Sequence, residues 1–481
     1  MLIDLNQRRP DLAGTAFDVC IIGGGVAGIT LATKLGAGGR RVLLVEAGGR
    51  ERSAKSQVLY RGRLGDLENL PLHETRIRAL GGSSHHWGGW CRPLDAGDFA
   101  RSDFSPDGTW PIGKADLDPY FRDAAAVLGV TETRGADLAL AGAEQNLATI
   151  RMYFSTPPAN LGSNHFDALR QSPNVRLLLN AAYLSMSRDA ARVSALAIKD
   201  PRSPTPLLCR ARAFVFAMGA VENVRHLLIH NRTGRGIGNA GGALGRYYMQ
   251  HMHQELGQFV LFEGRSAPLA AADSALAFMA STEKFLRARG GGAFRIYSTT
   301  LACSGILDQF RELTGASCRA ATASGTVYIT NEQVPNGDSR ILLTDEADEL
   351  GLPRVKLDWR IADGDRAALR EAALEFGRYL VRADIGRLRI NPAILSASAP
   401  LQGWTALPGA PGAAGHQMGG ARMSRTADDG VVDGDCRVWG TDNLYLAGSA
   451  VFRTSGHATP TLTIVQLALR LADTIERRLA G

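Results

Sequence analysis

The chain has 481 residues, of which 45% are hydrophobic and 21% are charged, and its formal net charge is +7. This composition is that of an ordinary globular protein, and the length is sufficient for two domains or more. The arginines and lysines are scattered and form no basic block. The pattern argues against a nucleic-acid-binding protein and leaves at most a mild preference for anionic partners.

The six cysteines are widely spaced and contain no C-x-x-C pair. Neither a dithiol redox centre nor a metal site is therefore expected. The N-terminal segment carries Asp4 and lacks an uninterrupted apolar core, which argues against a secretory signal. No apolar run reaches the roughly eighteen residues that predict a membrane span. The expected location is the cytoplasm.

The first predicted unit is a strand, residues 18–22, that ends in a glycine turn and a helical stretch. Gly23 allows the tight turn, Gly25 lets the backbone approach a pyrophosphate, and Gly28 lets helix and strand pack closely. The helix N-terminus would face the phosphates. The second strand ends at Glu46, which is placed to accept hydrogen bonds from an adenosine ribose. The unit predicts dinucleotide binding, with these candidate contacts: Gly23, Gly25, Val26, Ala27, Gly28 and Glu46.

Later segments continue the α/β pattern. Buried-strand runs occur at residues 174–179, 195–198, 213–216 and 444–447, and a final helix is predicted to start near Thr459. These segments predict a discontinuous nucleotide-binding domain of residues 14–100, 166–250 and 413–481. Residues 101–165 and 251–412 contain Pro and Gly clusters and mixed strand patterns, including a strand at 325–330, and predict a substrate-binding domain. Residues 270–277 and 408–415 are interpreted as connectors.

Four groups of segments resemble one known family. Residues 415–423, Gly-His-Gln-Met-Gly-Gly-Ala-Arg-Met, and the stretches 430–433, 437–440 and 443–449 resemble the C-terminal signature of the glucose-methanol-choline (GMC) oxidoreductases. Residues 80–89 are similar to the flavin-side loop of that family, particularly in pyranose oxidases and sugar dehydrogenases. Residues 245–251 and 336–340 also resemble family segments. The resemblance implies FAD, a Rossmann-like FAD-binding domain, and an α+β substrate-binding domain with a mostly antiparallel sheet.

The resemblance also implies a general base. His416 matches the histidine of the H-x-x-G-x-x-R-M signature, which takes the hydroxyl proton of an alcohol while hydride passes to flavin N5. Imidazole suits this role because its unperturbed pKa is about 6.5, and such help is worth about 10²- to 10⁴-fold in rate.

A second residue departs from the family pattern. Thr459 stands where the family has a His or Asn, and it also precedes Pro460, so it suits the cap of the final helix. His457 is the alternative, and the sequence leaves open whether His457 or Thr459 assists His416. The resemblance places the helix N-terminus, with Pro460 and Thr461, beside the flavin, where its partial positive charge would stabilise an anionic reduced ring.

Further cofactor contacts are implied at Gly448 and Ser449 and, in the flavin-side loop, at Gly82, Ser83, His86 and Trp87. His86 matches a histidine that is bound covalently to the flavin in pyranose oxidases, although the doubled His85-His86 leaves the register open by one residue. Non-covalent FAD is the expectation, and a covalent link at His86 is the alternative. Other residues in these segments are interpreted as structural, with a pocket role open for the two tryptophans: Arg246, Arg340, His251, His253, Glu222, Trp90 and Trp110.

The expected activity is FAD-dependent oxidation of a C-OH group to a carbonyl. The resemblance favours a polyol, a sugar or a glycosylated natural product as the hydroxylated small-molecule substrate, and O₂ or another electron acceptor. The alternatives are a redox-neutral lyase of the same fold and a non-catalytic flavoprotein. A pyridine-nucleotide-disulfide flavoprotein is excluded by the lack of a C-x-x-C pair and of a second nucleotide motif. The sequence sets no oligomeric state.

Overall fold

The computed structural model describes most of the chain, namely residues 1–12, 14–65, 71–101, 105–140, 146–233, 236–262, 277–289, 291–298, 321–396 and 415–481. The predicted connectors therefore lie outside the described residues, apart from residues 277 and 415. So do two of the six cysteines, Cys303 and Cys318, whereas the other four are unpaired and buried.

A six-stranded sheet, parallel throughout, forms the first layer. Its strands are rich in Val, Ile and Leu and almost entirely buried, as expected for a sheet that is covered on both faces. This sheet confirms the predicted Rossmann-like α/β architecture. In spatial order its strands are Leu2–Asp4, Val175–Leu179, Val42–Val45, Phe17–Ile22, Ala211–Phe216 and Leu444–Leu446.

Two long helices cover one part of this sheet. The dinucleotide helix, Val26–Ala37, packs against the terminal helix, Pro460–Ala480. The terminal helix starts at Pro460 as predicted, because proline lacks the N–H that the first helical position leaves unpaired. Its apolar residues, including Leu462 and Leu469, are buried.

A seven-stranded antiparallel sheet forms the second layer, which confirms the predicted α+β part. Its core packs against the helix Asp363–Arg382. Thr330 lies opposite Arg295 on one neighbouring strand and opposite His253 on the other. Cross-strand neighbours share a face, so these three side chains lie together. In spatial order the strands are Gly386–Ile390, Met252–Phe262, Ala321–Asn331, Phe294–Ser298, Met279–Ser281, Leu147–Thr149 and Leu138–Ala139.

Three small sheets and several short helices complete the described part. The small sheets contain the strands Ala182–Asp189, Arg192–Lys199 and Leu207–Cys209; Arg340–Ala347, Pro353–Asp358 and Arg63–Leu64; and Trp90–Cys91, Met152–Ser155 and Val130–Arg134. The remaining α-helices are Ala54–Gln57, Ala96–Phe99, Phe121–Val127, Leu161–Asn164, Phe166–Gln171, Ala220–Thr233, Glu283–Arg289 and Pro392–Leu395.

Two strands differ from expectation. The predicted strand at 195–198 belongs to Arg192–Lys199, which pairs in a small antiparallel sheet outside the parallel one. Leu2–Asp4 pairs in parallel with Val175–Leu179 and extends the parallel sheet, although no strand was predicted before residue 14. The division into two domains stays a prediction; apart from Leu2–Asp4, the strands of the two large sheets fall in the ranges predicted for them.

Candidate active site

A cavity of about 790 Å³ is lined by residues from both large sheets. Cavities of this size accommodate organic cofactors and substrates. With two exceptions, Gly28 and His457, every residue predicted for cofactor or catalytic contact lines it: Gly23, Gly25, Val26, Ala27, Glu46, Gly82, Ser83, His86, Trp87, His416, Gly448, Ser449, Thr459, Pro460 and Thr461.

The glycine turn is built by close backbone approach. Gly23 has φ +108°, and a Cβ there would lie 2.5 Å from the carbonyl oxygen of Ala217. A Cβ at Gly28 would lie 1.8 Å from the carbonyl oxygen of Gly23, so helix and strand touch at this point. A Cβ at Gly25 would meet nothing within 4 Å, and Gly25 faces the cavity. A side chain there would occupy space that the turn leaves open for a ligand.

Glu46 orders this turn. Its Oε2 accepts a hydrogen bond from the Gly24 N–H at 2.8 Å, and its Oε1 accepts one from the Gly48 N–H at 2.7 Å. The carboxylate is 6% exposed and lines the cavity. Glu46 therefore fixes the glycine turn and still presents its carboxylate to a ligand.

The two neighbouring histidines of the flavin-side loop, His85 and His86, have different surroundings. His85 Nε2 donates to the Leu80 carbonyl at 2.8 Å, and His85 Nδ1 accepts from the Asn160 amide at 3.2 Å. His86 lines the cavity, and its Nε2 has no hydrogen-bond partner within the described part of the chain. Burial, with help from His85 and Arg52, lowers the pKa of His86 to about 4. His86, and not His85, therefore presents a neutral imidazole to the cavity.

Trp87 packs at the cavity wall, because its indole N–H donates to the Ala159 carbonyl at 2.8 Å. Across the cavity, the Ser449 hydroxyl donates to the Gln417 carbonyl at 2.6 Å. Thr459 occupies the cap position of the terminal helix, yet its hydroxyl donates to the Trp90 carbonyl at 2.7 Å instead of capping the helix. The Thr459 side chain thus caps no N–H of the helix, and the first helical residues, Pro460 and Thr461, line the cavity.

His416 lies in a group of three histidines. Its Nδ1 is 2.7 Å from Nδ1 of His251, and its ring centroid is 5.5 Å from that of His253. His251 Nε2 lies 2.8 Å from the Gly456 carbonyl oxygen and 3.2 Å from that of Ser455. Burial lowers the pKa of His251 to about 4 and places the pKa of His416 well below its usual range, with Arg295 adding to both effects.

The tautomers of this pair follow from its partners. Carbonyl oxygens only accept, so Nε2 of His251 carries the proton. The neutral ring of His251 then has its lone pair at Nδ1, which accepts from the Nδ1–H of His416. Neutral His416 consequently carries its own lone pair at Nε2. Sequence reasoning assigned His251 and His253 to the fold and so missed this arrangement.

The same three rings bring nitrogen atoms within 4.8 Å of one another, as a metal site would. Two nitrogens on one tetrahedral zinc ion, each at about 2.0–2.1 Å, would be roughly 3.4 Å apart. The 2.7 Å separation of the two Nδ1 atoms is shorter and is that of a hydrogen bond. The arrangement therefore fits proton holding better than metal binding.

His457 points away from the cavity. Its Nε2 lies 3.0 Å from the Asp95 carboxylate, and its side chain is 3% exposed. The neighbouring Gly456 N–H donates to Glu332 at 3.0 Å, and Glu332 is held by Arg101 at 2.9 Å. These buried contacts fix the segment whose carbonyls hold His251.

Charged residues that were not predicted as cofactor or catalytic contacts also line the cavity. Glu222 pairs with Arg76 at 2.7 Å and with Arg225 at 3.1 Å, and Arg225 also pairs with Asp348 at 2.6 Å. Burial alone would raise the pKa of Glu222, but Arg225 and Arg76 outweigh it and hold the pKa well below its usual range. Glu222 is in the first turn of its helix, as expected, and is an ionised structural acid.

Residues 335–468 match the family model described as GMC oxidoreductase. The C-terminal part of the chain therefore matches the C-terminal domain of the GMC oxidoreductases. The fructose dehydrogenase large subunit of Gluconobacter japonicus is 24% identical to this chain over 563 aligned positions, which cover 95% of this chain and 97% of the relative. The 6'''-hydroxyparomomycin C oxidase of Streptomyces lividus is 26% identical, with 98% and 94% covered.

The fold has solved counterparts. The crystal structure of pyridoxine 4-oxidase from Mesorbium loti superposes on this chain with a TM-score of 0.56 and 17% identity, covering 96% of this chain and 99% of that one. Within the described residues, no helix combines the length and the apolar character needed to cross a membrane.

The GMC oxidoreductase family binds FAD, and the cavity of this chain fits that cofactor. Gly25 and Gly448 line the cavity, and a Cβ at either position would meet nothing within 4 Å. The dinucleotide helix and the terminal helix both begin at the cavity with Val26 and Pro460. Helix N-termini favour negative charge, which both the diphosphate and a reduced flavin carry.

Proposed function

We propose that this protein is a GMC oxidoreductase that oxidises a C-OH group of a polyol, a sugar or a glycosylated natural product to a carbonyl, with His416 as the general base. The relatives named for fructose and for a hydroxyparomomycin support this substrate class. When bound, FAD supplies the hydride acceptor. The observation that carries the proposal is the tautomer of His416, whose Nε2 lone pair results from its hydrogen bond to His251.

The base works at neutral pH because its ring is neutral there. Burial and the nearby Arg295 hold the pKa of His416 well below its usual range, so no proton has to leave before a substrate arrives. In our proposal Nε2 takes the hydroxyl proton, and the hydrogen on the same carbon leaves as hydride. His251 is a positioning residue, since it orients His416 without lining the cavity.

In the family, a His or Asn at the position of Thr459 assists the base. We propose that in this chain several residues share that role. Thr459 lines the cavity and is the one of the two candidates placed to touch a substrate, whereas His457 faces Asp95. We assign the orientation of His416 to His251, and we assign to His457 the anchoring of the segment that carries the Gly456 carbonyl.

The cofactor contacts are proposed from the lining of the cavity. The glycine turn, with Gly25 and the first residues of the dinucleotide helix, would hold the diphosphate, and Glu46 would accept from the ribose. The Arg78 guanidinium, which sequence reasoning missed, lines the same cavity with no hydrogen-bond partner for its buried Nε in the described residues. The Arg78 carbonyl would lie 2.1 Å from a Cβ on Gly48, so Arg78 sits beside the loop that follows Glu46 and suits a cofactor phosphate.

The flavin would lie between the loop Gly82–Trp87 and the start of the terminal helix. His86 faces this space and is held neutral, and we propose that FAD is bound there without a covalent bond. The backbone N–H of Thr461 and the positive end of the helix dipole would stabilise negative charge on the reduced ring. Reoxidation in air after substrate reduction distinguishes an oxidase, which uses O₂, from a dehydrogenase, which uses another acceptor.

The test is anaerobic mixing of the yellow holoenzyme with a panel of sugars, polyols and simple alcohols. We expect loss of the oxidised-flavin absorbance with at least one compound. In His416→Ala, flavin reduction should slow by about two orders of magnitude or more while FAD content is unchanged. His73→Ala, a change of a histidine outside the cavity lining, serves as the control.

Two outcomes would contradict the proposal. A loss below about tenfold in His416→Ala would remove His416 from the role of base. Intact holoenzyme that no hydroxyl compound reduces would favour the redox-neutral lyase instead.

A further inference from the structure

A buried arginine faces the cavity from the antiparallel sheet. Arg295 is 1% exposed, lies on the strand Phe294–Ser298 and lines the cavity. Its Nη2 donates to the Thr330 hydroxyl at 3.2 Å, and its Nη1 lies 3.9 Å from the Met152 sulfur, a weak acceptor. Its Nε has no hydrogen-bond partner within the described part of the chain.

Arg295 forms no ion pair with any described carboxylate. The acidic side chains that line the cavity are engaged elsewhere. Glu222 and Asp348 pair with Arg76 and Arg225, and Glu46 accepts from the glycine turn. Burial lowers the pKa of Arg295 to about 10, so the guanidinium still carries its charge at neutral pH.

A buried charge of this kind is costly. Taking a guanidinium out of water without a partner costs several kcal/mol, and the usual remedies are an opposite charge or a full set of hydrogen bonds. Arg295 has neither among the described residues, yet it lines the cavity of about 790 Å³. A planar guanidinium matches a carboxylate, which it can bind through two parallel hydrogen bonds.

We propose that Arg295 binds a carboxylate of the substrate, so that the substrate is a hydroxylated acid such as a sugar acid or another hydroxy acid. This inference rests on the proposed function and specifies its substrate class. Arg295 is then a specificity-determining residue, separate from His416. The anion completes the hydrogen bonds of the guanidinium, and its charge compensates that of the arginine.

The position of Arg295 suits this role. Thr330, its cross-strand neighbour, lies 3.2 Å from Nδ1 of His253, whose ring is beside that of His416. One threonine and one histidine therefore separate the guanidinium from the proposed base. Trp90 and Tyr297 flank the guanidinium, with ring centroids 5.5 and 5.8 Å from Cζ. These rings exclude water and so strengthen the attraction for an anion.

Two other partners for Arg295 are less consistent with these contacts. The cofactor diphosphate is expected at the glycine turn, which belongs to the other sheet and has Arg78 beside it. A neutral sugar hydroxyl could accept one hydrogen bond but would leave the buried charge uncompensated. The carboxylate satisfies both the hydrogen bonds and the charge.

The first experiment measures binding without turnover. The holoenzyme is titrated with acetate and with acetamide, a neutral molecule of the same shape, and the flavin absorbance and the tryptophan fluorescence are followed. We expect acetate to bind at least about tenfold more tightly than acetamide. Arg295→Gln should weaken acetate binding by about thirtyfold or more and leave acetamide unchanged. Arg287→Gln, an exposed residue of the helix Glu283–Arg289, is the matched control.

The second experiment compares oxidation of glucuronate with glucose and of glycolate with ethylene glycol. The carboxylates should show the higher kcat/KM, and Arg295→Gln should remove that advantage mainly through KM. Arg295→Lys keeps the positive charge but loses the planar guanidinium. Its preference for the carboxylates should therefore lie between that of the unchanged enzyme and that of Arg295→Gln. If Arg295→Gln does not fold, the comparison of acetate with acetamide in the unchanged enzyme still tests whether the cavity prefers an anion.

The outcomes separate the two proposals. Equal binding of acetate and acetamide would overturn the role of Arg295. Flavin reduction by neutral alcohols without preference for the acids would do the same while leaving the proposed function intact. Tight, Arg295-dependent acetate binding in an enzyme that no hydroxyl compound reduces would support the anion site and contradict the oxidation.

Discussion

Replacing His251 by leucine tests how His416 is held as a base. The change removes the acceptor that lies 2.7 Å from Nδ1 of His416, while His251 itself does not line the cavity. In the native arrangement the tautomer with the lone pair at Nε2 is favoured, because its Nδ1–H donates to His251. Without that acceptor, the tautomer with the proton at Nε2 becomes competitive, and that tautomer cannot take a proton from the substrate.

The magnitude follows from the cost of a buried donor. Leaving a buried N–H without an acceptor costs about 1–3 kcal/mol. At about 1.4 kcal/mol for each factor of ten, the population of the productive tautomer falls about 5- to 150-fold. We therefore expect the rate of flavin reduction at saturating substrate to fall by that factor. The loss should remain smaller than in His416→Ala, where the base is removed altogether.

The assay is anaerobic stopped-flow reduction, with FAD content measured in the same samples. His251→Asn is the conservative comparison, since its amide oxygen can accept from Nδ1 of His416 and should restore part of the rate. The KM should change little in either variant, because His251 orients the base and does not touch substrate. A reduction rate for His251→Leu within twofold of the unchanged enzyme would refute the tautomer argument.

The remaining predictions concern pH and the cofactor link. Since burial lowers the pKa of His251 to about 4, the unfolded chain takes up a proton below pH 6.5 that the native state refuses until about pH 4. In that window this histidine lowers the free energy of unfolding of the unchanged enzyme by about 1.4 kcal/mol per pH unit. The variant His251→Leu lacks the titrating group. In urea titrations, its free energy of unfolding should therefore fall by about 2 kcal/mol less between pH 7 and pH 5 than that of the unchanged enzyme. For His86, acid precipitation should leave yellow FAD in the supernatant, and flavin retained in the washed precipitate would show a covalent bond.

The parallel sheet could be predicted because its signal is local. Four of its strands are runs of Val, Ile and Leu bounded by turns, and the glycine spacing from Gly23 to Gly28 specifies the first turn whatever the rest of the chain does. Leu2–Asp4 escaped prediction, since a three-residue edge strand has no periodicity and its partner, Val175–Leu179, is far away in the sequence.

The position of His416 in the cavity lining could also be expected from the sequence, because its signature includes the residues around it, and its role as a base stays a proposal. Its partner could not. His251 is 165 residues away from His416, and nothing near it in the sequence indicates which atoms its two nitrogens meet. Arg295 is hidden for a similar reason. A single arginine in a strand is normally paired, and only the folded sheet shows that its guanidinium meets a cavity instead of a carboxylate.

The family has a His or Asn at the position of Thr459. In this chain the backbone three residues earlier, at Gly456, contacts His251, which in turn contacts His416. Glu332 accepts the Gly456 N–H at 3.0 Å, and the carbonyl oxygen of the same peptide group, that of Ser455, lies 3.2 Å from Nε2 of His251. The carbonyl oxygen of the next peptide group, that of Gly456, lies 2.8 Å from the same nitrogen. Because carbonyl oxygens only accept, Nε2 of His251 keeps its proton and Nδ1 keeps its lone pair for His416. We therefore infer that a chain without a His or Asn at 459 can still orient the proposed base, through a buried glutamate, the backbone at Ser455 and Gly456, and a histidine that directly precedes the strand Met252–Phe262.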